Sequence, residues 1–302
     1  MDMDGDWRLP LPNTLFKKHR RPVCASASSR SVASTFARLA KPVVAEAVQR
    51  TKALALEGDA EGFHQLRVAF RKLRALYWAY SPYLGEAVTV EATGEFRRLA
   101  AVAGGTRDWD IATGLLEVAQ TSHEPVQLLV TAARAKRAQA MMHSQALLAG
   151  DDVEAFLNQV LVRAQTTLEQ QCDGLPMRPF AKKRVRLARR ALEKRSRKAT
   201  RSGPVVEEAL HDVRKAGKKL RYLLEFFQPV LKRRHGRTIK SLTSVQNKLG
   251  EFNDIAASEA LIRSTEFSDV PAAVVDESLE WLDEQKGRLM QVAARRVAEV
   301  AG

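Results

Sequence analysis

The sequence predicts an all-α protein, and two observations carry that prediction. From Ser31 onward, apolar residues recur at the three- and four-residue spacing of amphipathic helices, and the alternating Val, Ile and Thr runs of strands are missing. Hydrophobic residues make up 45% of the 302 residues, which is enough to build a buried core. The chain is therefore expected to consist of packed helices.

The helices are predicted in order from this periodicity and from the breaks in it. Gly, Pro, Ser and Asp concentrate in the breaks, which read EGDAEG, SPYLGE, AGGTRD, AGDD, CDGLPMRP, RSGP and FSDVP. The first series of predicted helices covers residues 33–57, 62–81, 86–103, 108–120, 124–148 and 152–171. The second series covers residues 179–200, 204–234, 237–249, 254–264 and 271–300.

Two aspartates and the N-terminal segment complete this assignment. Asp108 and Asp254 each follow a glycine-containing break. We expect both to be N-caps, whose side chains accept hydrogen bonds from the free N–H groups of the next helix. Residues 1–30 are rich in Pro, Ser and charge and have no sustained period, which predicts a flexible arm.

The main organisational feature is an internal repeat. HQLRVAFRKLR, which begins at residue 64, returns as HDVRKAGKKLR at residue 211, and an apolar run with a proline follows each copy. GGTRD at 104–108 matches GEFND at 250–254. The two histidine segments lie 147 residues apart. This spacing is too long for a solenoid repeat and indicates duplicated helical bundles. The predicted division is a first repeat, a joint and a second repeat at residues 31–150, 151–178 and 179–300.

The charge balance points to an anionic partner. Forty-nine Lys and Arg oppose 35 Asp and Glu, giving a formal charge of +14 and a pI near 10, and such an excess attracts polyanions. Cys24 and Cys172 lack CxxC spacing, so a disulfide framework or cysteine zinc site is not expected. With neither a secretory-type start nor a membrane-length apolar run, the chain is expected to be soluble and cytoplasmic.

The first histidine segment places its cations on one side of a helix. At about 100° per residue, His64, Arg67, Arg71 and Arg74 fall within about 80° of one another, and Lys72 widens this stripe weakly. The opposite side is apolar and consists of Leu66, Phe70, Leu73, Tyr77 and Tyr80.

The second histidine segment repeats this arrangement in the same phase. Its cationic stripe consists of His211, Arg214, Lys215, Lys218, Lys219 and Arg221. Its apolar side consists of Val213, Leu220, Leu224 and Phe227. A third basic segment at 178–198 has Lys182, Arg186 and Arg189 beside an apolar seam of Ala181, Val185, Ala188 and Leu192.

Like charges at these spacings repel one another, so the stripes call for a compensating anion. Ten residues of helix span about 15 Å, which suits an extended ligand with repeated charges. The alternative is a solvated basic face without a ligand. The recurrence of the stripe in the same phase favours the extended polyanion.

The two histidine segments, each followed by Gly-x-x-Arg/Asn-Asp, resemble the CHAD domain, the conserved histidine α-helical domain. The resemblance covers about residues 31–300. It implies two pseudo-symmetric four-helix bundles that share a basic groove and bind inorganic polyphosphate. The motif residues that correspond are His64, Arg67, Arg71, Lys72 and Arg74 in the first copy and His211, Arg214, Lys218, Lys219 and Arg221 in the second.

Five further residues join the predicted polyphosphate site. They are Arg107, Lys215, Lys182, Arg186 and Arg189. Asn253 stands where the repeat has Arg107, which puts that position in doubt as a ligand in the second copy. Arg is expected to bind two phosphate oxygens with its planar fork, and each His to donate when charged beside phosphate. A neutral histidine that caps a loop or packs on a helix is the alternative.

Non-catalytic polyphosphate binding is therefore the predicted function, with association with polyphosphate-containing granules. No cofactor or metal site is predicted. Non-specific nucleic-acid binding is the alternative, although aromatic residues make up only 6% and those near the motif fall mostly on its apolar side. A metal-dependent phosphohydrolase is a further alternative, although carboxylates are scarce on the cationic faces.

Overall fold

The chain is all-α, as predicted. The structure, a computed structural model, describes residues 31–120, 126–150, 152–200, 206–231 and 235–301. In that part of the chain the helices are α1 (Val32–Leu56), α2 (Ala60–Leu84), α3 (Glu86–Gln120), α4 (Val126–Gly150), α5 (Val153–Cys172), α6 (Met177–Thr200), α7 (Glu207–Phe227), α8 (Gly236–Arg263) and α9 (Ala272–Ala301). The predicted arm at 1–30 lies outside the described residues. The division into two pseudo-symmetric bundles stays a prediction from the sequence repeat.

Two predicted helix breaks are wrong, because α3 and α8 each run straight through a glycine. Asp108 and Asp254 consequently lie inside these helices and are not N-caps. At the first break, the side chain of Arg67 packs over Gly104, where an added Cβ would stand 3.5 Å from the Arg67 Cζ. Tertiary contacts of this kind outweigh the roughly 1 kcal/mol by which glycine disfavours a helix interior.

Side-chain caps fix where several helices begin. The Asp59 Oδ1 accepts a hydrogen bond from the Gly62 N–H at 2.7 Å, which starts α2 one turn before His64. Ser31 caps α1 and Asp152 caps α5 in the same way. These caps set the register in which the motif helix presents its cations.

The predicted apolar sides of α2, α6 and α7 are buried together in the larger of two hydrophobic cores. The ring of Tyr80 on α2 lies 4.8 Å from that of Phe180 on α6 and 6.4 Å from that of Phe227 on α7. Aromatic contacts at such distances stabilise the core in addition to the burial of apolar area. This packing brings the two histidine helices, α2 and α7, against each other.

A second hydrophobic core is built from both halves of the sequence. Trp109 and Leu116 in the C-terminal half of α3 pack with Leu129 of α4, and Ile255 of α8 and Leu282 of α9 complete the cluster. The long, unbroken α3 and α8 therefore reach from the motif helices into this second core. Because neither helix is interrupted, the GGTRD and GEFND segments are helical and lie beneath α2 and α7.

We expect Gly217→Ala to stabilise the protein by about 0.5–1 kcal/mol, because alanine is the better helix former. Gly217 lies inside α7 beside a small cavity of about 10 Å³. An added Cβ would meet the Gln246 Nε2 at 3.5 Å, an ordinary contact. Urea denaturation should show a higher midpoint with an unchanged slope.

Gly62→Ala is the contrasting variant. Its added Cβ would stand 2.6 Å from the Asp59 Oδ2 and 2.8 Å from the Leu54 Cδ2, so the α2 cap would have to shift. We expect this variant to be less stable than the wild type. A destabilised Gly217→Ala protein would show that the cavity beside α7 cannot accept a methyl group.

Candidate functional site

Cations from both repeats face one another where α2 and α7 meet above α3 and α8. We call Arg67, Arg71, Arg107, Arg214 and Lys218 the central cluster. The charges of Arg71, Arg214 and Arg67 all lower the pKa of Lys218, and the charge of Arg67 lowers that of Arg214. The two predicted stripes are thus joined at their middle.

Arg67 is held by the glycine and aspartate of the GGTRD segment. Its Nη1 donates to the Asp108 Oδ1 at 2.9 Å and to the Gly104 carbonyl at 3.4 Å. The Arg67 side chain remains one-fifth exposed. This contact orients the guanidinium while leaving part of its fork open to a ligand.

Asp254 is the matching carboxylate of the second repeat. Burial raises its pKa, and the charges of Arg214, Lys218, Arg107 and Arg67 oppose that rise. Burial is also the main cause that lowers the pKa of Arg214 and, much more, of Lys218. The carboxylates of Asp108 and Asp254 therefore lie among the cations of the central cluster.

The two histidines flank this cluster in different ways. Burial, and next the charge of Arg107, lowers the pKa of His64. Burial also lowers the pKa of His211, but its Nδ1 donates to the Asn253 Oδ1 at 2.8 Å, which opposes the fall. Asn253, which stands in the second copy where the first has Arg107, therefore orients the ring of His211. Both side chains are half-buried.

Three other residues of the predicted stripes, Lys72, Lys215 and Arg221, lie outside the central cluster. Lys215 pairs with Asp212 at 3.3 Å and Arg221 with Glu225 at 3.6 Å, both one-quarter exposed. Lys72 is half-buried on α2. Local ion pairs of this kind are worth little, so a polyanion can displace the carboxylates at small cost.

A second group of cations surrounds Trp78, one turn beyond the α2 motif. The Arg184 Cζ lies 4.0 Å and the Lys219 Nζ 4.4 Å from the centre of the Trp78 ring. An Nη2 of Arg184 also donates to the Trp78 carbonyl. Burial lowers the pKa of Arg184 to about 10 and that of Lys219 to about 7, and Arg195, Arg184 and Arg74 lower the latter further.

The Trp78 group differs from the sequence prediction in two ways. Arg74, expected on the open stripe, is only 3% exposed, so direct phosphate contact by Arg74 is disfavoured in this conformation. Trp78, Arg184 and Arg195 were not predicted. Trp78 falls at about −40° on the helical wheel, inside the cationic stripe, and this was the available signal.

The predicted α6 residues do not join either group. Lys182, Arg186 and Arg189 are exposed, and they project more than about 120° around the helix from Arg184 and Arg195. The apolar seam was predicted correctly, because Ala181, Val185, Ala188 and Leu192 are all buried. Arg184 and Arg195, at the edge of that seam, are the α6 cations whose charges lower the pKa of Lys219.

We expect Lys218→Met to stabilise the ligand-free protein by about 1 kcal/mol or more and to weaken anion binding. The ammonium group is buried beside guanidinium groups, and removing such a charge relieves a desolvation cost. Urea denaturation at neutral pH measures the change. Lys240→Met, which alters an exposed cation on α8, is the control and should leave stability nearly unchanged. A less stable Lys218→Met protein would mean that the lysine makes net favourable contacts without ligand.

Membrane-spanning helices and metal-binding clusters are both absent from the described ranges. None of the helices there combines the length and the apolarity needed to cross a bilayer. The same part of the chain contains no group of three or more His, Cys, Asp or Glu side chains arranged to hold a metal ion.

The fold and the site define an all-α protein in which two repeated, histidine-bearing helices join their cations in one cluster. The chain belongs to the CHAD domain family: the family model for the CHAD domain matches residues 38–263. The predicted family is therefore confirmed.

Solved structures support the same fold. The crystal structure of the CHAD domain from the plant Ricinus communis matches with a TM-score of 0.72 and 20% identity, covering 93% of this chain and 96% of that one. PptA from Streptomyces chartreusis matches with a TM-score of 0.64 and 13% identity, covering 90% and 99%. No curated protein matches the sequence.

Proposed function

We propose that this protein binds inorganic polyphosphate, without turnover, along the central cluster and the Trp78 group. One observation carries the proposal: cations from both repeats lie together in one cluster, where their charges act on one another. Burial, and next the charges of Arg71 and Arg214, lowers the pKa of Lys218, and burial together with the charge of Arg67 lowers that of Arg214 although Asp254 opposes the fall. Holding these cations together therefore costs free energy. A bound polyanion would offset that cost.

The shape of the site favours a chain of phosphates over a single one. Along α2, the stretch from His64 to Arg71 spans about 10 Å, and the cations around Trp78 extend the positive surface by about two more turns. Arginine forks can hold pairs of phosphate oxygens along such a line.

The aromatic residues favour polyphosphate over nucleic acid. Phe70, Tyr77, Tyr80 and Phe227 are buried in the core, and the ring of Trp78 is already covered by Arg184 and Lys219. Base stacking on aromatic rings is a main source of affinity for single strands. Nucleic acid would therefore rely on phosphate contacts alone and bind more weakly.

Competition binding tests this proposal. Immobilised polyphosphate should retain the protein, and free polyphosphate should displace it at far lower phosphate concentration than DNA. If each cation of the central cluster neutralises one phosphate, log K should fall against log salt with a slope of about −3 to −4. Affinity indifferent to salt, or equal displacement by DNA, would overturn the proposal.

Binding without turnover is tested separately. Asp108 and Asp254 are engaged by Arg67 and by Arg214 and Lys218, which supports a holding role for the site. Incubation with polyphosphate and Mg²⁺ or Mn²⁺ should release no phosphate. Release that is lost in His64→Ala or His211→Ala variants would instead identify an enzyme.

Association with polyphosphate granules would follow from binding, and imaging of a tagged protein tests it.

A further inference from the structure

The outer face of α6 carries a dense set of cations that the central cluster does not use. Eight are exposed: Lys182, Lys183, Arg186, Arg189, Arg190, Lys194, Arg197 and Lys198. Glu193 is the one exposed carboxylate on the same helix. Within the described part of the chain, none of the eight forms an ion pair with Asp or Glu.

The fold does not require these charges. The apolar seam that packs α6 into the core is complete without them. On α1, a helix of similar length that opens the other repeat, the exposed cations are Arg38, Lys41 and Lys52, and Lys52 is paired with Glu154. Eight unpaired like charges on one helix repel one another and lower helix stability. A bound polyanion would offset this repulsion.

This face is continuous with the site described above. Around α6, Arg184 contacts Trp78, and Arg195 lies close enough to Lys219 to lower its pKa. Lys198, Lys194 and the other exposed cations follow through about 180° to Lys182 and Arg189. A flexible anionic chain can therefore pass from Lys219 over the edge of α6 without leaving positive charge. Insertion into lipid does not fit, since the apolar seam is buried.

We propose that the outer face of α6 binds the part of a long polyphosphate chain that extends beyond the central cluster. It thereby gives the protein a preference for long chains. The face spans roughly 24 Å from Lys182 to Lys198, a length that a short oligophosphate held in the central cluster does not reach. The inference rests on the proposed polyphosphate function and adds a chain-length preference to it.

The test compares tripolyphosphate with long-chain polyphosphate for two variants of equal charge. The α6 variant carries Lys183→Gln, Arg186→Gln, Arg190→Gln and Lys194→Gln, which keep good helix formers in place. The control carries Arg38→Gln, Lys41→Gln, Arg237→Gln and Lys240→Gln, all exposed on α1 and α8. Both lose four positive charges, so a general effect of net charge cancels.

We expect the α6 variant to lose affinity for long chains by roughly tenfold relative to the control, since four exposed contacts each contribute a fraction of a kcal/mol. The ratio of long-chain to tripolyphosphate affinity should fall by the same factor. The salt slope for long chains should become shallower by about 3. Circular dichroism should show unchanged helix content.

Each other outcome overturns the inference. Equal losses in the two variants would leave only net charge as the cause. An unchanged chain-length ratio in the α6 variant would exclude this face from the site. Loss of duplex DNA binding alone would assign the face to nucleic acid. A wild-type protein that binds neither polyphosphate would instead overturn the proposed function itself.

Discussion

Replacing Arg67 and Arg214 together by glutamine is expected to weaken polyphosphate binding at least about a hundredfold. Each arginine lies beside the aspartate of its own repeat, Asp108 for Arg67 and Asp254 for Arg214, in the central cluster. A hydrogen bond to a charged group is worth about 1.5–3 kcal/mol, so the loss of two costs about 3 kcal/mol or more. Fluorescence anisotropy with labelled polyphosphate at fixed salt measures the change.

Two further double variants distinguish the loss of binding contacts from misfolding and from a change in net charge. Arg134→Gln with Arg163→Gln removes the same charge from surface pairs with Glu117 and Glu91 and should change affinity little. Reversal of Arg67 and Arg214 to glutamate should abolish binding with unchanged helical circular dichroism. Full binding by a folded reversal variant would show that the ligand lies elsewhere.

Polyphosphate affinity is expected to decrease about tenfold between pH 6 and pH 8 through Lys219 alone. With a pKa of about 7, the protonated fraction of Lys219 falls from about nine-tenths to about one-tenth over this range. Phosphate favours the ammonium form, so binding raises the pKa and takes up a proton. Affinity must then fall as pH rises through the window between the free and the bound pKa.

His64 and His211 act in the same direction at lower pH. Burial lowers both pKa values below 6.5 in the free protein, so each ring is largely neutral at pH 7 until phosphate favours its charged form. The Nδ1 of His211 already donates to Asn253, which leaves its Nε2 to gain the proton. The histidines should steepen the pH dependence on the acidic side.

Lys219→Arg is the variant that checks this assignment. An arginine keeps its charge throughout the range and can stack on the Trp78 ring as Arg184 does. Titration calorimetry should give a flatter affinity profile between pH 7 and pH 8 than the wild type shows. Comparing proteins at equal pH removes any titration of the ligand. Identical profiles for the two proteins would exclude Lys219 as the titrating group.

The sequence predicted what depends on periodicity along one helix. The apolar sides of α2, α6 and α7 are buried as expected, and the cations of α2 and α7 share a face. Helical spacing alone determines both, because it fixes which side chains point the same way.

What the sequence could not predict depends on contacts between helices. Gly104 reads as a helix stop, yet the Arg67 side chain packs over it and α3 continues to Gln120. Likewise, helical spacing places Arg184 at the edge of the α6 seam, but the group that it contacts belongs to another helix and cannot be read from α6 alone. It is Arg184 that turns inward, because Trp78 of α2 offers it a ring and a carbonyl.

The second hydrophobic core has a consequence for synthesis. Trp109 and Leu116 are translated long before Ile255 and Leu282, the residues that cover them. Until α8 and α9 leave the ribosome, the apolar ends of α3 and α4 have no lid and remain exposed to other nascent chains. We therefore expect aggregation during translation, more than the stability of the finished fold, to limit the yield of this protein.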